Sequence, residues 1–68
     1  MEKSLFSHNI RHLRRKKQLT YSKLAAQAGL SAARVVRLEC GAEAADGEAA
    51  ALCRALDVTE KTLLHEKL

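Results

Sequence analysis

Apolar residues recur along this chain at steps of three and four in five short runs, separated by glycine or by clusters of small and charged residues. Phe6, Ile10 and Leu13 share one face of a helix over residues 4–17. Leu24, Ala25 and Ala28 do the same over 21–28, and Val35 and Leu38 over a helix that starts at 31 or 32 and runs to 40. A fourth run, Ala50, Leu52, Cys53 and Leu56, predicts a helix over 47–56, and Leu63, Leu64 and Leu68 form the apolar stripe of a fifth. The expected fold class is therefore all-α: a bundle of about five short helices in one domain spanning 1–68.

The breaks between the runs carry their own signals. Thr20 and Ser31 can each accept from backbone N–H groups two or three residues on, so each caps the helix that follows. Asp46 is placed to cap the fourth helix, and Thr59, with Glu60 in the first turn after it, the fifth. Gly29 falls where the second helix must end on a left-handed residue, and Ala25, four positions earlier, is small enough to let the next helix cross closely. Residues 20–41 therefore read as two short helices joined by a tight turn at 28–31, a helix-turn-helix.

Composition adds two constraints. With no proline and only Phe6 and Tyr21 as aromatic residues, the core must be built from Leu, Ile, Val and Ala, which suits helices. No run of 18 apolar residues and no signal-peptide pattern occurs, so a cytoplasmic protein without a membrane segment is expected. Charge is more informative than its total of +4. Residues 1–38 hold nine Lys or Arg against one acid, whereas residues 39–68 hold three against seven. A chain so polarised turns a basic face toward a polyanion and keeps its acidic half away from it.

Ala25, Gly29, Leu30, Ser31, Val35, Leu38, Glu39 and Gly41 together resemble the signature of the phage-repressor family, the lambda-repressor-like or Xre-type helix-turn-helix proteins. The resemblance extends upstream through residues 9–14 and downstream through 52–58, and covers residues 5–65 in all. It implies a sequence-specific regulator of transcription, a repressor, that lays its third helix in the major groove of double-stranded DNA and binds an inverted repeat as a homodimer. It also implies an ion pair between Arg14 and Glu39 that ties the first helix to the end of the third. The sequence departs from the family's pattern in places. Gln18 stands where glycine is common, Tyr21 replaces a glutamine that touches the DNA backbone, and the loop over 42–47 is about one residue short and lacks a common proline.

With Val35 and Leu38 facing inward, Ala32, Ala33, Arg34, Val36 and Arg37 are the expected base-contacting residues. The alanines offer only apolar contact, best against a thymine methyl, and the arginines can bridge a guanine. Arg11, Arg15, Lys17, Thr20, Tyr21, Ser22 and Ser31 are the expected contacts to the DNA backbone. The cations near the end of the first helix also suit its dipole as a solvated face, and the Tyr21 ring can instead pack over the turn. Leu63, Leu64 and Leu68 are too apolar for an exposed tail, and either complete the monomer core or supply a dimer contact.

Other chemistry finds little support. Cys40 and Cys53 are thirteen positions apart without a CxxC, as free thiols would be. His8 and His12 have a spacing that can hold zinc, but no nearby acid or cysteine completes a ligand set. No phosphate loop or nucleophile motif occurs, so neither catalysis nor a cofactor or metal is expected. Two further roles fit the same fold: the antitoxin of a toxin–antitoxin pair, with the acidic C-terminal half holding a protein partner, or an interaction module that does not bind DNA.

Overall fold

The computed structural model describes residues 4–68; the first three residues, counted above in the basic half, lie outside them. Five helices follow in order: α1 (Leu5–Lys16), α2 (Tyr21–Ala28), α3 (Ala32–Glu39), α4 (Glu48–Leu56) and α5 (Glu60–His65). Four of them start on a hydroxyl cap: Ser4, Thr20, Ser31 and Thr59 each accept from the backbone N–H three residues on.

The exception is α4. Its N-cap is Gly47, with φ +84° and no side-chain cap bond, so Asp46 does not take the capping position expected of it. Glu48 does part of that work from inside the first turn, accepting from the Ala45 N–H at 2.7 Å.

Four helices also end in one way. A residue with positive φ reverses the chain, and the N–H after it reaches back five residues: Leu19 to Arg14, Leu30 to Ala25, Ala42 to Arg37, and Val58 to Cys53. Gly29 makes the second of these turns at φ +73°. Gln18 and Asp57 make the first and last at φ +58°, a conformation that residues with a β-carbon adopt only at a cost.

The core draws on every helix: Phe6, Ile10 and Leu13 from α1, Leu24 and Ala25 from α2, Val35 and Leu38 from α3, Leu52, Cys53 and Leu56 from α4, and Leu63 from α5. Leu63 has no exposed surface and so belongs to the monomer core, not to a dimer contact. Ala50, expected among the buried residues of α4, is only half-buried. Ala25 is buried on α2, and its small side chain suits the close packing of α2 against α3. No helix among the described residues is long and apolar enough to cross a membrane.

Two buried polar residues of α1 lock it to its neighbours. Ser7 donates to the Leu38 carbonyl at the end of α3, at 2.6 Å. Asn9 is wholly buried; its amide nitrogen donates to the Leu63 carbonyl at 2.9 Å and to those of Thr62 and Glu66, and its oxygen accepts from the Leu68 N–H at 3.2 Å. The carbonyls of Leu63 and Glu66, which α5 leaves free at its end, are satisfied in this way.

Candidate nucleic-acid interface

The two faces of α3 follow from its 3.6-residue period. Val35, Leu38 and Glu39 are buried. On the opposite side Ala33, Val36, Arg37 and the C-cap residue Cys40 are exposed.

Two residues expected on the outward face are not there. Ala32 is half-buried against the core. Arg34 lies on the flank and is held by α4: its Nε and Nη2 donate to the two carboxylate oxygens of Glu48, both at 2.8 Å, and Nη2 also reaches the Glu43 carbonyl at 2.7 Å. Its planar fork matches the carboxylate, and that match withdraws it from the base-contact set. Glu48 in turn has its pKa lowered, first by the Arg34 hydrogen bonds and then by the Ala45 N–H.

The N-termini of α2 and α3 border the outward face. Thr20 and Ser31 are exposed; their oxygens accept from Lys23 N and Arg34 N, which leaves each hydroxyl proton able to donate to an anion. Ser22 and Lys23 are exposed in the first turn of α2, where the helix dipole adds positive potential.

At the far end of α3, Arg14 Nε donates to Glu39 Oε2 at 2.6 Å and its Nη2 to Oε1 at 3.3 Å. Its Nη1 donates to the Leu19 carbonyl at 3.0 Å, and the Tyr21 ring covers the guanidinium, 4.1 Å from ring centre to Cζ. The carboxylate raises the pKa of Arg14 against the opposing effect of burial. Tyr21 thus packs, half-buried, over the Arg14 guanidinium as a lid on the ion pair.

A turn closed by a glycine, two capped helices crossing on a small residue, and an outward stripe on the second of them define the motif geometrically. The profile of the helix-turn-helix domain family matches residues 5–65, nearly the whole chain. The chain belongs to that family. Comparison with curated proteins gives no match.

Within this helix-turn-helix domain, the exposed side of α1 carries a second concentration of positive charge. His8, Arg11, His12, Arg15 and Lys16 line an open depression of about 620 Å³. Arg11 Nε is enclosed there without a hydrogen-bond partner, and Lys17 follows, exposed, at the C-cap. His8 and His12 stack with ring centres 6.2 Å apart. No group of three His, Cys, Asp or Glu residues among the described residues is placed to hold a metal ion. Both cysteines are free. Burial first, and then the charge of Glu60, push the Cys53 thiol above its ordinary pKa, while Cys40 is exposed.

Sequence reasoning missed Ser7, Asn9 and Glu48. The first two are polar residues on the edges of an apolar face, and their partners are carbonyls of distant helices that no local pattern announces. Glu48 had a signal, an acid in the first turn of α4.

Proposed function

We propose that this protein is a sequence-specific double-stranded DNA-binding regulator of transcription, a cytoplasmic repressor, that inserts α3 into the major groove. One observation carries this: the helix-turn-helix domain turns Ala33, Val36 and Arg37 of α3 away from its core, beside the N-termini of α2 and α3. Arg37 and Lys23 have no hydrogen bond or ion pair from their side chains among the described residues, and Arg11, Arg15 and Lys17 supply further charge for phosphates on α1. The role is binding and not catalysis.

A homodimer on an inverted repeat belongs to the same proposal, since one domain of this size spans too few base pairs for useful selectivity. Leu64 and Leu68, half-buried beside the core, offer the apolar surface for it in the acidic half of the chain. That placement keeps the basic half free for DNA.

Salt dependence is the direct test. If the basic half displaces counterions from about four to six phosphates, affinity for duplex DNA should fall with a log–log slope of roughly −3.6 to −5.4. Sites selected from random duplexes should show inverted half-sites about one helical turn apart. A flat salt dependence would overturn the proposal in favour of a protein-interaction role, such as that of an antitoxin, for which the acidic C-terminal half is the available surface.

A further inference from the structure

The outward stripe of α3 has an unusual chemical content for a surface that meets base pairs. Ala33 and Val36 present only methyl groups, and Val36 keeps 37% of its surface exposed. Burying that surface against water-excluding partners is favourable, while any hydrogen-bonding group of a base placed there goes unanswered. Arg37 is the helix's only guanidinium without an intramolecular partner among the described residues, because Arg34 is held by Glu48 and Glu43.

Each base offers a different partner in the major groove. Thymine alone carries a methyl group there, guanine presents two acceptors that fit an arginine fork, adenine pairs a donor with an acceptor, and cytosine shows a donor. No residue on the stripe complements adenine's pair or has the carboxylate that suits cytosine. Val36 and Arg37 lie three and four residues after Ala33, each about 5–6 Å from it along the exposed side of the helix. That distance covers two to three adjacent base pairs at roughly 3.4 Å each.

We infer that this helix reads a half-site core of thymines beside a single guanine, with thymine methyls against Ala33 and Val36 and the guanine against Arg37. Glu48 is a positioning residue: by holding Arg34 on the flank of α3 it keeps a second guanine out of the preferred sequence. The inference rests on the DNA-binding role proposed above and adds to it the identity of the bases read.

The decisive experiment alters the DNA and leaves the protein unchanged. Sites are selected from random duplexes with the full chain, and each thymine of the selected half-site is then replaced singly by deoxyuridine, which removes only the 5-methyl group. Fluorescence anisotropy should show affinity falling about four-fold at each of the positions whose methyl is covered, and hardly at all elsewhere. In parallel, selection with Glu48→Gln, its folding checked by circular dichroism, should enrich a second guanine next to the first. Binding with a steep salt dependence but no loss at any deoxyuridine overturns the methyl assignment while leaving the DNA-binding role intact. An unchanged preference in Glu48→Gln removes Glu48 from the account. Failure to bind any duplex at low salt overturns the DNA-binding role, and this inference with it.

Discussion

Two arginine–glutamate pairs sit at opposite ends of α3, and their chemistry is nearly the same. In each, Nε and Nη2 of the arginine meet both oxygens of one carboxylate. Their surroundings differ. The Arg14–Glu39 side chains keep only 11% and 3% of their surface, under the Tyr21 ring, whereas Arg34–Glu48 keep 30% and 12% at the rim of a loop. A charge taken out of water must be matched, so the first pair fixes the joint between α1 and α3. Water screens the second, which adds little to stability and instead decides where an arginine points.

The largest expected effect of breaking this contrast is at Glu39. Glu39→Gln leaves the Arg14 charge buried without a counter-charge and should cost about 3–5 kcal/mol by urea denaturation. A domain of this length has roughly 3–10 kcal/mol in all, so the loss is a large share of its stability. Replacing both members, Arg14→Met with Glu39→Leu, should restore most of the loss, because the buried charge is then gone. A cost for Glu39→Gln no larger than that of a surface pair would erase the distinction between the two ends.

Tyr21 gives a smaller effect that sharpens the comparison. Tyr21→Leu keeps apolar cover but loses the ring face over Arg14, and should cost about 1–2 kcal/mol. Tyr21→Phe retains the face and should leave stability almost unchanged. Weaker DNA binding in Tyr21→Phe alone would report a phosphate contact by the hydroxyl.

The smallest effect lies at the exposed pair. Glu48→Gln should barely move the denaturation midpoint at neutral pH. In acid the sign is set by the lowered carboxyl pKa: the contribution is complete above the ordinary value near 4.5 and is lost as pH falls below it through the folded-state value. The wild-type stability curve should therefore show a small extra decline below about pH 4.5 that Glu48→Gln lacks. Coincident curves would mean that the pair does not hold in solution.

The difference between the pairs also marks what the sequence could tell. The five helices, three hydroxyl caps and the Gly29 turn are local, since each follows from residues within one or two turns of one another, and all were readable. The bounds of α2 were obtained without error because cap, apolar steps and glycine agree there. Arg14 and Glu39 came into view through resemblance alone. Arg34 went astray because helical periodicity places a side chain on a face without saying whether a carboxylate fourteen residues on will draw it sideways. Asp46 failed as a cap for a related reason: Gly47 takes the capping position with a backbone only glycine adopts easily, and Glu48 supplies the acceptor. Leu63, Leu64 and Leu68 share one apolar stripe, and only packing against α1 and α4 separates the wholly buried first from the half-buried other two.

Asn9 makes the folding of this domain depend on its most distant contacts. Its four hydrogen bonds reach residues 53 to 59 positions later, so its buried amide stays unsatisfied until α5 has docked on α1. Helices α2 and α3 pack on each other across one short turn, whereas closing α1 onto α5 joins residues 53 to 59 positions apart and bears the loop-closure entropy of that separation. The α2–α3 hairpin thus closes at a smaller entropic cost than the clamp that ties α5 to α1.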